Sequence, residues 1–272
     1  MAVLLKDDLS QELPVLLADQ EWLAALRVLP SVDSTNEVLK RWAAEGAEEW
    51  SVVVAEEQAS GRAAGGRRWY SPSGGGLWLS ALLRPGVQRG EAGILTLAAA
   101  VAAAEAVEEQ AGLAPQIVWP GELQLSGRTF GGVFVEISYQ GHRPSVAVVG
   151  VGMDVNLTAL DLPPAVRLPT TSLVRALGRP VPRAELGRTL LVRLHERVEE
   201  LRAGRLAAVL AAYVARAGGL GGEVTLVQGA RRTEGRLMAI RADGGIELVL
   251  ADGQLLVAHS GRLSLDRVRR ER

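Results

Sequence analysis

A glycine- and arginine-rich segment, residues 61–76, carries the residue types best suited to binding a phosphate-bearing ligand. Its glycines can adopt left-handed backbone conformations and let a ligand approach the main chain closely. Exposed backbone N–H groups bind anions, and Arg62, Arg67 and Arg68 add two-pronged donors for carboxylate or phosphate. Trp69 offers an aromatic face for a base or another ring. We interpret the segment as a loop that folds over a charged ligand, with a solvated hairpin as the alternative.

Two further glycine-containing segments could complete a pocket for such a ligand. Gly150-Val151-Gly152 ends a predicted strand and would let a ring rest against the backbone, although a strand-to-turn transition explains it equally well. The sequence Trp-Pro-Gly-Glu at 119–122 and the paired glycines at 131–132 suggest a hairpin wall. The three histidines are scattered without metal-ligand spacing, so we expect structural roles for them.

Apolar periodicity places these segments within an α+β domain. β-branched and leucine-rich runs predict strands, and apolar spacings of three and four predict helices. The predicted strands span residues 51–57, 77–83, 117–119, 130–138 and 145–151, and the predicted helices cover 34–46, 91–111 and most of 170–217. The glycine- and arginine-rich segment lies between the first two strands, and so long a loop in a compact domain is more often functional than not.

A boundary follows the helical region, at the double glycines 218–219 and 221–222. Five short alternating runs come after it, separated in part by Asp-Gly turns, and this pattern is typical of a small SH3-like β-barrel. We therefore predict a lead-in over 1–26, a catalytic domain over 27–220 and a C-terminal domain over 221–272.

Composition excludes several classes of function. The chain of 272 residues has no cysteine, which rules out disulfides, thiolate metal sites and cysteine nucleophiles. Its formal net charge of -1 gives no general attraction to nucleic acid or to anionic membranes. The first residues lack the basic start of a secretory signal, and the longest apolar stretch, around residues 92–107, is interrupted by Glu105. We predict a cytoplasmic protein that binds neither nucleic acid nor membranes.

The order and spacing of these motifs resemble the biotin protein ligase family over most of the chain. The matching motifs are Val32-Asp33-Ser34-Thr35-Asn36, Ala55-Glu56-Glu57-Gln58, Gly61-Arg62, Gly66-Arg67-Arg68-Trp69-Tyr70-Ser71-Pro72, Trp119-Pro120, Gly127-Arg128, Gly132, Gly150-x-Gly152-x-x-x-Asn156 and the terminal Ser260-Gly261-Arg262-Leu263-Ser264-Leu265. The resemblance implies an α+β fold: a mixed sheet flanked by helices, like that of class II aminoacyl-tRNA synthetases, with a small C-terminal SH3-like β-barrel.

The resemblance also implies a two-step reaction. Biotin and ATP, with Mg²⁺, give biotinyl-5'-AMP and pyrophosphate, and the adenylate then acylates a lysine on the biotin carboxyl carrier domain of a carboxylase. A chain without a DNA-binding head would be the monofunctional kind. Members of the family often pair through sheet edges, which makes a homodimer one option.

The residue roles that the resemblance implies fall into three sets. The set expected to bind biotin is Ser34, Thr35, Asn36, Gln58, Gly61, Arg62, Ser80, Gly132 and Gly150. The set expected to bind the nucleotide is Arg67, Trp69, Asp154 and Asn156. The expected catalytic cations are Arg62, Arg67 and Arg128, and the expected metal ligand is Glu122.

Several positions depart from the family pattern, and the departures make the site less positively charged. Ala64 stands where the family has an arginine, and Val118 and Thr129 stand where it has lysines. Gly121-Glu122 replaces Asn-Asp, and Asp154 replaces an asparagine. Because adenylate formation relies on cations to stabilise phosphate charge, these changes deplete the phosphate end of the site while the biotin end stays intact.

Three functions remain open on this basis. The first is a working ligase in which Arg128 or Arg68 supplies the missing charge. The second is a biotin-binding or regulatory homologue with weak or absent ligation. The third is a lipoate- or octanoyl-transferring relative, for which the lack of cysteine excludes a cysteine acyl carrier and leaves Lys40 as the lysine that could serve.

Overall fold

The structure is a computed structural model that describes residues 9–63, 67–84, 92–140, 143–162 and 170–265. The elements in chain order are α1 (Leu9–Leu16), β1 (Ala25–Leu29), α2 (Thr35–Ala44), β2 (Ser51–Ala55), β3 (Arg62–Ala63), β4 (Arg67–Arg68), β5 (Gly76–Leu83), α3 (Ala92–Ala111), β6 (Gln116–Val118), β7 (Glu122–Leu125), β8 (Arg128–Gln140), β9 (Arg143–Asp154), α4 (Leu173–Leu177), α5 (Arg183–Arg202), α6 (Leu206–Val214), β10 (Glu223–Gln228), β11 (Arg231–Ile240), β12 (Ile246–Val249), β13 (Leu255–Ala258) and β14 (Arg262–Ser264).

Seven of these strands form one mixed sheet in the order β1-β2-β5-β9-β8-β7-β6. β1 and β2 are parallel, and the other neighbouring pairs are antiparallel. The central strands β2 and β5 are buried along their whole length, because helices cover both faces of the sheet. Side chains alternate between the faces: Val53 packs in a cluster with Leu39 of α2, whereas Val52 and Val54 belong to the larger core on the opposite face.

The alanine-rich helix α3 lies in that larger core. Residues 97–104 have no exposed surface, because α3 packs against β8 and β9 on one side and against α5 and α6 on the other. Small side chains suit a helix that is covered on all sides. Within the described ranges, no helix has the length and apolar character needed to cross a membrane.

The N-terminal segment is packed on the same core. Leu13 of α1 is fully buried, and the Arg188 guanidinium of α5 donates to the Leu16 carbonyl at 3.1 Å. β1 begins at Ala25 and pairs with β2. The main sheet therefore starts inside the segment predicted as a helical lead-in over 1–26, and the sequence prediction missed β1.

The last five strands form an antiparallel sheet in the order β13-β12-β11-β10-β14, which we call the C-terminal sheet. The alternating runs after the double glycines predicted these strands. Two hydrogen bonds join the C-terminal sheet to the segment that precedes β7: Trp119 Nε1 donates to the Gly244 carbonyl at 2.9 Å, and the Leu263 N–H donates to the Trp119 carbonyl at 3.1 Å. These bonds hold β14 beside the turn that carries Glu122.

Candidate active site

A cleft, with a volume of about 770 Å³ including its open mouth, lies over the middle of the large sheet. It brings together segments that are far apart in the sequence, from α2 to β14. The sequence-predicted residues that line it are Ser34, Thr35, Asn36, Gln58, Arg62, Arg67, Trp69, Gly121, Glu122, Gly132 and Gly150. The cleft therefore joins most of the predicted biotin set to Arg67 and Trp69 of the nucleotide set and to Arg62 and Arg67 of the cation set.

One end of the cleft is a hydrogen-bonded polar cluster, and we call it the polar end. The Thr35 N–H and hydroxyl both donate to Gln58 Oε1, at 2.9 and 3.1 Å. Gln58 Nε2 donates to Ser71 Oγ at 3.0 Å. Ser80 Oγ, fully buried behind the cluster, lies 2.7 Å from Thr35 Oγ1 and 2.6 Å from Asn36 Oδ1. These bonds fix the orientation of donors and acceptors for a polar ring.

A buried ion pair positions the segment that carries Gln58. Arg183, the first residue of α5, donates from Nη1 to Glu56 Oε2 at 2.8 Å and to the Gly76 carbonyl at 3.1 Å. Glu56 follows β2 directly, and Gly76 begins β5. The pair thus connects a helix to two strands just before Gln58.

Glycines form the floor of the cleft. A Cβ atom at Gly150 would lie 2.3 Å from Asn36 Oδ1 and collide with it, whereas one at Gly152 would make ordinary van der Waals contact with Trp69 Nε1, at 3.4 Å. The strand was predicted to end at residue 151, and β9 continues three residues further, to Asp154. Both glycines therefore lie within the last part of a paired strand, which makes the floor rigid.

A chain of charged side chains borders the polar end. Arg62 Nη1 lies 3.2 Å from Glu37 Oε1, and Lys40 Nζ bridges Glu37 at 2.7 Å and Glu136 at 3.0 Å. Glu136 also accepts from Asn36 Nδ2 at 2.8 Å. Burial alone lowers the pKa of Lys40, but its bonds to the two carboxylates outweigh burial and raise that pKa. Lys40 therefore stays charged and holds Glu136 and Asn36 in place.

The other end of the cleft, which we call the arginine end, contains Glu122 between polar and basic groups. Thr129 Oγ1 donates to Glu122 Oε1 at 2.6 Å, and Gln124 Nε2 donates to the same oxygen at 2.8 Å. Arg67 Nη2 lies 3.7 Å from Glu122 Oε2. Arg262 of β14 lines the same end. Thr129, at the position where the family pattern has a lysine, thus orients the Glu122 carboxylate through a neutral hydroxyl group.

Trp69 lies between the two ends. Its ring stands against Gly152 and near Gly132, and its backbone N–H donates to the Gly61 carbonyl at 2.8 Å. The indole Nε1 is buried and has no hydrogen-bond partner in the part of the chain that the structure describes. A buried donor of this kind costs free energy unless a ligand satisfies it. Trp69 is accordingly placed to meet a ligand that crosses the cleft.

Some predicted site residues do not line the cleft. Arg128 is exposed at the start of β8, and the Asn156 amide is engaged on both sides by the Val181 backbone, at 2.9 Å each. Gly61 is buried against Ser71 and the Trp69 carbonyl, so it supports the loop. Ala64 lies outside the described residues. Among the described residues, the cations that line the cleft are Arg62, Arg67 and Arg262.

Val118 also departs from the family pattern, but its side chain packs in the hydrophobic core. It is 1% exposed in β6 and packs close to Gly218. A lysine at this position would need a path for its ammonium out of the apolar surroundings, since an unpaired buried charge is strongly destabilising. The neutral residue here is consistent with the packing, whereas Thr129 touches the site through Glu122.

Glu122, the predicted metal ligand, could hold Mg²⁺ only together with ligands from the substrate. No group of three or more His, Cys, Asp or Glu side chains that could hold a metal ion occurs among the described residues. Mg²⁺ is commonly held by one or two carboxylates together with substrate phosphates. A single carboxylate at the arginine end suits that kind of site, and the assignment of Glu122 stays a prediction.

Asp154, at the end of β9, is expected to make stability depend on pH. It is 4% exposed, its Oδ1 has no partner among the described residues, and burial raises its pKa well above the usual range. The folded protein thus keeps a proton that the unfolded chain releases above pH ~4. The stabilising contribution of Asp154 is therefore fully present below that pH and falls as pH rises towards the raised pKa, by up to about 1.4 kcal/mol per pH unit.

The Asp154→Asn variant should lose this component of the pH dependence and exceed the wild type in stability near neutral pH. Urea unfolding at pH 5 and pH 7.5 measures the difference. Asp252→Asn, in an exposed turn, is the matched control. Equal slopes of stability against pH for the wild type and Asp154→Asn would contradict the assignment of a buried neutral carboxyl.

A mixed sheet that carries a cleft, polar at one end and lined by arginines at the other, defines a domain suited to binding a polar, anionic ligand. The family model described as Biotin/lipoate A/B protein ligase family matches residues 28–154. The chain is 30% identical to the Biotin--[acetyl-CoA-carboxylase] ligase of Paracoccus denitrificans, over 81% of this chain and 92% of that protein. The chain belongs to the biotin protein ligase family.

Two further comparisons agree with that family. The chain is 32% identical to the Bifunctional ligase/repressor BirA of Bacillus subtilis over 62% of its own length, and the match spans about half of that relative, 52%. The solved biotin protein ligase from Aquifex aeolicus in complex with biotin and ATP superposes with a TM-score of 0.76 at 27% identity, covering 88% of this chain and 97% of the other. The predicted family and fold class are confirmed.

Proposed function

We propose that this protein joins biotin to ATP, giving biotinyl-5'-AMP and pyrophosphate, and then transfers biotin to a lysine of a carboxylase carrier domain. The observation that carries the proposal is the continuity of the cleft: the polar end, Trp69 and the arginine end lie along one cavity. A ligand with a polar ring and a carboxylate tail would place the tail towards the arginines. The similar Aquifex aeolicus protein is described in complex with biotin and ATP.

In the first step a biotin carboxylate oxygen attacks the α-phosphorus of ATP, and the bond to pyrophosphate breaks. The chain's contribution is to hold both reactants and to stabilise negative charge as it builds on the phosphate. Arg62 borders the polar end and Arg67 the arginine end, so both can approach the acyl-phosphate junction. Mg²⁺, held by Glu122 and the phosphates, would neutralise further phosphate charge.

In the second step a lysine amine of the carrier attacks the acyl carbon of the adenylate, and AMP leaves. The chain must keep the adenylate out of water until the carrier arrives, since loss to solvent hydrolyses it. Trp69 covers the glycine floor between the two ends of the cleft. The carrier partner, the Mg²⁺ requirement and a cytoplasmic location belong to this proposal.

A biotin-binding homologue with weak ligation is the second candidate. The threonine at position 129 favours it, because its hydroxyl, which donates to Glu122, brings no positive charge to the end of the cleft that must accept phosphates. The polar end has no corresponding defect. Its ring of fixed amide and hydroxyl groups also favours biotin over an apolar octanoyl chain, which would leave buried polar groups unsatisfied.

Labelling of a carrier domain tests the main proposal. We expect purified protein, radiolabelled biotin and MgATP to label a purified biotin carboxyl carrier domain, and a carrier whose acceptor lysine is changed to arginine to stay unlabelled. Pyrophosphate release should depend on biotin. Biotin binding by calorimetry without label or pyrophosphate would support the second candidate, and an absence of biotin binding would reject both.

A further inference from the structure

We propose that Arg262, contributed by the C-terminal sheet, binds the phosphates of ATP and supplies the positive charge that the cleft lacks at Thr129. This inference rests on the proposed function, because it names the residue that completes the arginine end. It also gives the C-terminal sheet a direct part in nucleotide binding. The sequence predicted Arg128 or Arg68 as the source of the missing charge.

The position of Arg262 is fixed by its strand. β14 pairs with β10, with Val227 opposite Arg262 and Leu226 opposite Leu263. Leu263 is 1% exposed and its N–H donates to the Trp119 carbonyl at 3.1 Å. Because neighbouring side chains on a strand point to opposite faces, the burial of Leu263 directs Arg262 to the other side. That side is the cleft, which Arg262 lines together with Arg67 and Glu122.

The charges around Arg262 favour an anionic ligand. Its pKa is lowered first by burial and then by the guanidinium of Arg67, with a smaller effect from Arg232, while Glu122 acts in the opposite direction. Arginine nevertheless stays protonated at neutral pH. Arg262 forms no salt bridge within the described residues, and the only facing carboxylate is that of Glu122. Two guanidinium groups around one carboxylate leave a net positive site, which phosphate groups would stabilise.

The other nearby arginines contact other groups or do not line the cleft. Arg62 pairs with Glu37 at the polar end. Arg68 Nη2 donates to the Ala59 carbonyl at 2.7 Å, and its side chain is exposed. Arg128 is exposed and does not line the cleft. Among the described residues, the geometry leaves Arg67 and Arg262 as the cations that face the arginine end.

Nucleotide binding to biotin-saturated protein tests the inference without needing catalysis. We expect Arg262→Ala to weaken the binding of α,β-methylene-ATP about 10- to 100-fold in calorimetry, as for loss of a charged hydrogen bond. Arg262→Lys should retain part of the affinity, and the salt dependence of binding should become shallower in Arg262→Ala. Biotin affinity should stay within about twofold, since Arg262 acts on Arg67 and Glu122 at the arginine end and makes no hydrogen bond to the polar end among the described residues.

Arg231→Ala is the matched control, because Arg231 is an exposed arginine of the same C-terminal sheet. Thermal unfolding checks that both alanine variants remain folded, and Arg262→Gln replaces Arg262→Ala if the latter unfolds.

Wild-type nucleotide affinity in folded Arg262→Ala or Arg262→Gln, or an equal loss in Arg231→Ala, would overturn the inference. A protein that binds the analogue through Arg262 but labels no carrier would retain the inference and reject ligation. A wild type that binds biotin but not the analogue would reject the inference and leave the biotin site standing.

Discussion

The Thr129→Lys substitution is expected to raise the rate of biotin-dependent pyrophosphate release about 10²- to 10³-fold, the range attributed to one preorganised charge-stabilising donor. Thr129 Oγ1 donates to Glu122 Oε1 at 2.6 Å and so holds an anion at the arginine end. A lysine ammonium on the longer side chain would pair with that carboxylate and offer its remaining donors to the phosphates. The change therefore adds a positive charge at the arginine end, while Glu122 stays in place.

The measurement is the initial rate of pyrophosphate release with saturating biotin and varied ATP. We expect most of the gain in kcat, because charge on the α-phosphate and the leaving group is greatest in the transition state. Thr233→Lys, on β11 of the C-terminal sheet, controls for the added positive charge. A folded Thr129→Lys variant that binds both substrates but reacts no faster would show that the threonine is not what limits adenylation.

The elements around the site could largely be predicted from the sequence, because each has a strong local pattern. Helix α2 shows a helical apolar spacing after Ser34 and was placed within two residues of its observed end. The alternating runs of the C-terminal sheet were recognised for the same reason. β1 and β7 were missed, since Ala25–Leu29 and Glu122–Leu125 are short and only partly buried. They are strands because neighbouring strands pair with them.

The residues of the site also differ in whether the sequence could predict them. Residues grouped in glycine-rich or arginine-rich motifs, such as Arg62, Arg67 and Gly150, could be proposed from the sequence and line the cleft. Lys40, Glu136 and Arg262 could not, because each is a single charged residue on a regular element. Their proximity to the motifs arises from strand order and sheet docking, which contribute partners about 100 or more residues away in the chain.

The Gly150→Ala substitution is expected to weaken biotin binding about 100-fold. The added Cβ would lie 2.3 Å from Asn36 Oδ1, so Asn36 would have to move. Asn36 has little room to do so, since Ser80 Oγ lies 2.6 Å from its Oδ1 and Glu136 accepts from its Nδ2 at 2.8 Å. Displacing the amide leaves buried polar groups unpaired, at about 1–3 kcal/mol each. It also changes the donors that the polar end presents to the ligand.

Calorimetry with biotin alone isolates this effect from the chemistry at the arginine end. Gly222→Ala is the control, because Gly222 lies outside the cleft and a Cβ there meets only the Gly219 carbonyl, at 3.4 Å. Thermal unfolding distinguishes loss of the ligand site from loss of the fold, since a local rearrangement at Asn36 should lower the unfolding temperature by only a few degrees. Wild-type biotin affinity in a folded Gly150→Ala variant would mean that biotin does not depend on the Asn36–Ser80 contact, and the polar end would then lose its assignment as the biotin site.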